Sequence, residues 1–149
     1  MGILDSGNEE PQAKLRRWIV SGVVFALLLT LAIWYAVRFV PEKRVVTRFF
    51  DAVVAGEFQR AYQIWHPQPS YTFKDFMDDW GPAGYYGPVK SYSIESAGNP
   101  RKGGSGVIVT IDISPDQPFP AASEVEKQRR TRIVRLWVEK SDKSIGFPP

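Results

Sequence analysis

Few side chains in this sequence could act as acids, bases or metal ligands. His66 is the single histidine of the 149 residues, and there are no cysteines. The chain therefore cannot form a two-histidine metal site, a cysteine nucleophile, a disulfide or a cysteine-based zinc or iron–sulfur site. His66 lies between Trp65 and Pro67 at a predicted helix end, where a histidine can simply bond the last carbonyl groups.

Two further motifs match catalytic patterns only in composition. Asp78 and Asp79 are neighbours on a predicted helix, so their side chains point about 100° apart and do not converge on one ion. Residues 103–105, Gly-Gly-Ser, lack the spacing of a phosphate loop, and a strand follows them in place of a helix. We interpret these motifs as a solvated helix face and a hairpin turn. We predict that the chain is not an enzyme and holds no cofactor or metal.

The segment most able to fix the position of the chain is an uncharged, mainly apolar run of twenty residues, 18–37. A helix of that length spans roughly 30 Å, which is the hydrocarbon thickness of a bilayer. Aromatic side chains lie at both of its ends, and basic side chains flank it, as expected at the headgroup level. The predicted anchor residues are Trp18, Trp34, Tyr35, Arg16, Arg17 and Arg38. The sequence thus predicts a disordered tail over residues 1–17, a transmembrane helix over 18–40 and an extramembrane domain over 41–149.

The run is too long for a typical signal-peptide core, and no A-x-A-like cleavage site follows it. We therefore predict an uncleaved single-pass anchor in the inner (cytoplasmic) membrane, with the N-terminus cytoplasmic and the domain periplasmic. The flanking basic residues are nearly balanced between the two sides, so they decide the orientation only weakly. Small residues four apart, Gly22–Ala26 and Ala32–Ala36, leave packing against other helices or a second copy open.

The domain changes from helical to alternating periodicity along its length. Apolar residues at helical spacing predict three helices, the first from Pro41 to Gly56, the second over 58–65 and the third opened by a capping box at Thr72. Alternating runs over 89–97, 107–113 and 132–138 predict strands, with a short last strand over 144–147. We therefore predict an α+β fold of about three helices on a curved antiparallel sheet of three to four strands.

The segments VVTRFFDAVVAGEFQRAYQIW and FKDFMDDWGPAGYYGPVKSYSI, followed by paired β runs, resemble the nuclear transport factor 2-like (SnoaL-like) superfamily. The resemblance covers residues 42–147 and implies a cone-shaped domain with a pocket, although its patterns transfer no catalytic residue. The predicted pocket residues are Tyr62, Trp65, His66 and Tyr92. A second resemblance is to the anchored domains of cytochrome-oxidase assembly and inner-membrane translocase accessory proteins.

Two features could contact a partner protein: an aromatic loop over residues 80–92 and a basic run that begins at Lys127. Tyr, Trp and Arg are the residue types favoured at interfaces. The predicted contact residues are Trp80, Tyr85, Tyr86, Arg129, Arg130 and Arg132. Strand alternation would place Arg130 and Arg132 on one face and Arg129 on the other, which argues against one nucleic-acid-binding stripe. The net charge of the domain is also only +2, from 15 Lys and Arg against 13 Asp and Glu.

The sequence therefore predicts a non-catalytic accessory subunit that contacts the lipid bilayer and other subunits of a membrane complex, for example a respiratory or photosynthetic one. One alternative is a domain that binds a small hydrophobic ligand outside the cytoplasm. Another is an isomerase- or hydrolase-like enzyme, which would need a tyrosine and an Asp or His converging in the cone.

Overall fold

The computed structural model describes residues 9–65, 68–120 and 123–149 of the chain. The chain divides into two compact units, Met1–Arg38 and Phe39–Pro149. The boundary lies close to that predicted between the anchor and the domain. His66, one of the predicted pocket residues, lies outside the described residues.

The first unit contains one long helix, α1 (Glu9–Val37). Of the described residues, only this helix is long and apolar enough to cross a membrane, and none of its apolar segment is buried within the protein. The predicted tail is thus partly helical, because α1 begins at Glu9 and not at Trp18. The nine added residues include strong helix formers such as Leu15 and Arg16, which continue the helix at little cost.

Three helices open the second unit: α2 (Val40–Val54), α3 (Phe58–Trp65) and α4 (Phe73–Trp80). Pro41 lies in the first turn of α2, where its missing N–H group costs nothing. The predicted capping box opens α4: the Asp75 amide donates to Thr72 Oγ1 at 3.2 Å, and the Thr72 amide donates to Asp75 Oδ2 at 2.8 Å. All three predicted helices are present.

The strands β1 (Ser91–Gly98), β2 (Gly106–Ser114), β3 (Arg132–Glu139) and β4 (Ile145–Gly146) pair with their sequence neighbours. They form an open antiparallel sheet in the order β1-β2-β3-β4. The alternation in β2 directs Val109 and Ile111 into the core beneath the helices. The α+β class and the four antiparallel strands are confirmed.

Aromatic rings fill the core between the helices and the sheet. The ring of Phe49 lies 5.1 Å from that of Phe50 and 5.2 Å from those of Trp65 and Trp80, measured between centroids. Phe76 is also fully buried and lies 6.1 Å from Phe49. These rings occupy the space in which the resemblance predicts a cone pocket.

The structure adds a helix that the sequence analysis did not predict, α5 (Glu124–Arg130), between β2 and β3. No residue of α5 is buried, so its sequence lacks the apolar stripe from which a helix is usually predicted. Its signal is electrostatic: Ser123 accepts the Glu126 amide at 3.1 Å, acidic residues lie in its first turn and basic residues in its last. Arg129 and Arg130 therefore belong to a helix end, and their predicted strand alternation with Arg132 is wrong.

Candidate contact surface

The loop after α4, residues 81–88, is bonded to the end of that helix. The Tyr85 and Tyr86 amides donate to the carbonyls of Asp78 and Asp79, both at 2.8 Å. The loop is so tight that a Cβ atom at Gly87 would lie 1.9 Å from the Gly81 carbonyl oxygen. Only glycine fits there, and the tight loop holds the two tyrosines at a defined position.

The two tyrosines differ in their exposure to solvent. Tyr86 is half-buried, and its ring stacks on Trp80 with 4.6 Å between centroids. The Tyr85 ring packs edge-on against Tyr86 at 4.9 Å, yet 65% of Tyr85 is exposed. Burial raises the pKa of the Tyr86 hydroxyl, so Tyr86 stays neutral at physiological pH. The loop therefore displays one aromatic side chain supported by another.

Arg132, the first residue of β3, covers this loop. Its guanidinium lies 4.2 Å from the centroid of the Tyr85 ring and 5.4 Å from that of Tyr86. It also donates a hydrogen bond of 2.6 Å to the Tyr85 carbonyl oxygen. Within the described part of the chain Arg132 forms no ion pair, so its charge is offset only by ring faces and a carbonyl group. The structure thus brings Tyr85, Tyr86 and Arg132 together.

Phe147, near the C-terminus, extends this surface and was not predicted from the sequence. Its ring lies 5.8 Å from that of Tyr86 and 6.3 Å from that of Trp80, and 40% of the residue is exposed. Its sequence signal, an aromatic residue beyond the last strand, is weak. We call the set Tyr85, Tyr86, Arg132 and Phe147 the Tyr–Arg patch.

The remaining predicted contact residues lie elsewhere. Trp80 is 1% exposed and belongs to the core, so it supports the patch from beneath and does not form its surface. Arg130 Nε lies 3.0 Å from Asp116 Oδ2, and a terminal nitrogen of the same guanidinium lies 2.9 Å from Glu126 Oε1. Arg129 is exposed at the end of α5. The predicted basic cluster is therefore divided, and Arg132 alone joins the aromatic loop.

The structure places the three described pocket residues, Tyr62, Trp65 and Tyr92, against the aromatic core. Trp65 is buried in the core, and the Tyr62 hydroxyl donates to the Tyr71 carbonyl at 2.8 Å. Tyr92 lies against Phe50 with 5.1 Å between ring centroids. A packed layer that includes Phe49 and Trp80 lies between Trp65 and Phe50.

Two tyrosine–aspartate pairs are the structure's closest approach to acid–base chemistry. The Tyr71 hydroxyl donates to Asp79 Oδ2 at 2.7 Å, and the Tyr92 hydroxyl donates to Asp51 Oδ1 at 2.6 Å. Burial, and then the neighbouring carboxylate, raise the pKa of both phenols. Each pair is a single hydrogen bond at the edge of the core, and within residues 9–65, 68–120 and 123–149 no cluster of three metal-binding side chains occurs.

Comparison with known proteins adds no relative from which a function could be transferred. No family model, curated protein or solved structure matches the chain.

Proposed function

We propose that the protein is a single-pass, non-catalytic membrane protein whose α+β domain binds another membrane protein through the Tyr–Arg patch. The observation that carries the proposal is the exposed Tyr85 ring with the guanidinium of Arg132 above it, which forms no ion pair with the described residues. Tyrosine and arginine dominate the binding energy of protein interfaces, and a rigid aromatic side chain loses little entropy when it is covered. An acidic side chain on the partner would complement Arg132.

The aromatic core weighs against the two alternatives. A hydrophobic ligand or a substrate would need space that Phe49, Phe76 and Trp80 fill. We propose the relationship to nuclear transport factor 2-like domains on the two sequence segments quoted above and the paired β runs that follow them, and an experimental structure with its sheet curvature would test it.

Site-specific photocrosslinking in the native membrane tests the contact. A photoreactive phenylalanine analogue at Tyr85 should give one defined protein adduct, and Arg132→Gln should weaken it. The matched control places the analogue at Val125, which is 61% exposed on α5 and outside the patch. Equal adducts from both positions would refute the proposed surface, and an adduct with a second copy would make the partner the chain itself.

We also propose that the N-terminus is cytoplasmic and the domain periplasmic in the inner membrane. Because the chain has no cysteine, single introduced cysteines report topology without background. In intact spheroplasts a membrane-impermeant maleimide should label Ser141→Cys and should reach Gln12→Cys only after lysis. The reverse pattern would invert the orientation, and labelling of both would argue against a membrane-spanning α1.

A further inference from the structure

A groove of about 640 Å³ lies on the face of the sheet opposite the helices. Its floor is formed by outward-facing residues of β1, β2 and β3, and the β1–β2 turn forms its rim. Thr110 and Ile108 face it because their neighbours Val109 and Ile111 point into the core. The size suits a small organic ligand.

Three side chains with hydrogen-bond donors form one row across the floor. Ser96 pairs with Thr110, and Thr110 pairs with Arg135 on the next strand. Directly opposed residues hold their Cβ atoms about 5 Å apart, so the two hydroxyl groups and the stem of Arg135 arise from neighbouring positions of the groove floor. A carboxylate or phosphate could accept bonds from all three, and a guanidinium binds either group through two parallel bonds.

A β-bulge places Ser96 in this row. Tyr92 and Ile94 face the core, and regular alternation would direct Ser96 there too. The register shifts between Ile94 and Ser96, so that Ser96 instead lies opposite the outward-facing Thr110. Bulges often re-aim side chains beside functional sites. The groove floor therefore depends on this bulge, which lies on the edge strand of the sheet.

Within the described residues, no ion pair neutralises the arginines of the groove. Arg135 and Arg101 are exposed, and in the described part of the chain neither forms an ion pair. Lys140 Nζ adds a third positive charge, 3.2 Å from Asn99 Oδ1 at the rim. By contrast, the carboxylates farther along the same face, those of Glu95 and Asp112, are both bonded to Lys127.

We propose that this groove binds a small anion through a carboxylate or phosphate group, held by Ser96, Thr110 and Arg135 with Arg101 at the rim. The anion would supply the charge that the protein lacks there. This site is separate from the Tyr–Arg patch, since the two share no residue.

The test uses the full chain in nanodiscs of zwitterionic lipid, titrated with inorganic phosphate and with succinate at constant ionic strength. The amide resonances of Ser96 and Thr110 should shift saturably with at least one probe. Arg135→Gln should weaken that binding by about tenfold, the scale of one charged hydrogen bond. Arg129→Gln removes the same charge from the exposed end of α5 and should change the affinity less than twofold.

Absence of saturable shifts at Ser96 and Thr110 with both probes would overturn the proposal, as would equal weakening by Arg135→Gln and Arg129→Gln. A second arm adds phosphatidylglycerol to the nanodiscs without a free anion. Shifts of the same resonances, again lost in Arg135→Gln, would support the site and assign a lipid headgroup as the source of the phosphate. The tyrosine amides of the patch serve as internal controls for an intact fold.

Discussion

Lys143 Nζ lies 2.8 Å from Glu42 Oε1, which joins the first turn of α2 to the turn before β4 across 101 residues of sequence. Glu42 is 4% exposed, and its second carboxylate oxygen is buried without a hydrogen-bond partner in the described residues. Lys143 is partly exposed and also bonds the Lys140 carbonyl at 2.8 Å. A buried carboxylate thus depends on one ammonium group.

Lys143→Met should lower the free energy of unfolding by about 2 kcal/mol, because it leaves the Glu42 charge buried and unpaired. The double variant Glu42→Met/Lys143→Met should be more stable than Lys143→Met alone, since no buried charge remains. Thermal unfolding followed by near-UV circular dichroism measures both. A double variant that is less stable than Lys143→Met would contradict this account.

Gly87→Ala should destabilise the loop that carries the Tyr–Arg patch. The added Cβ atom would meet backbone and not a flexible side chain, so the loop must shift, at a cost of roughly 2 kcal/mol or more. Gly98→Ala is the matched control, since its Cβ atom meets nothing within 4 Å and should change stability by less than about 0.5 kcal/mol. The crosslinking yield from Tyr85 should fall only in Gly87→Ala. Equal stability and equal crosslinking in the two variants would contradict the role of Gly87.

Thr72→Ala should cost about 1 kcal/mol, the usual value of a helix N-cap. Thr72 accepts the Asp75 amide, and Thr72 Oγ1 lies 2.6 Å from Asp75 Oδ2. The Thr72 hydroxyl and the Thr72 amide both donate to Asp75 Oδ2, and these two bonds lower the pKa of Asp75. Their stabilisation is complete above the unfolded-state pKa and is lost as the pH falls through the folded-state pKa. The difference in the free energy of unfolding between wild type and Thr72→Ala should therefore be smaller at pH 2.5 than at pH 7.

The bond from Lys127 to Glu95 should make stability pH-dependent at both ends of the scale. It lowers the pKa of Glu95 and raises that of Lys127. Its contribution is full between about pH 5 and pH 9, decreases in acid as Glu95 is protonated, and decreases in base as Lys127 loses its proton. In Lys127→Met a carboxyl titration by NMR should place the Glu95 pKa closer to its ordinary value.

Asp112 Oδ2 also lies 3.2 Å from Lys127 Nζ, and its Oδ1 is buried with no hydrogen-bond partner among the described residues. Lys127→Met therefore removes the cation from two carboxylates. Lys127→Arg keeps the charge and should retain most of the pH dependence. An unchanged Glu95 pKa in Lys127→Met would show that another group sets it.

Local patterns in the sequence determined the elements of this protein. A twenty-residue apolar run satisfies its backbone hydrogen bonds as a helix and buries its side chains in lipid or against other protein. The helix can therefore be predicted without knowledge of any tertiary contact. The capping residues Thr72 and Asp75 are three positions apart, and the alternation of residues 107–113 is a property of one strand. The α+β order followed from these short-range periodicities.

Only the tertiary structure decided which of those elements meet. Arg132 covers Tyr85 across 47 positions, and the packed rings of Phe49, Trp65 and Trp80 close the space where the sequence predicted a pocket. The hydrophobic periodicity likewise predicted neither helix α5 nor the bulge before Ser96, because neither buries an apolar stripe of its own. Such contacts depend on how side chains distant in sequence fill the same volume, and no local pattern encodes that.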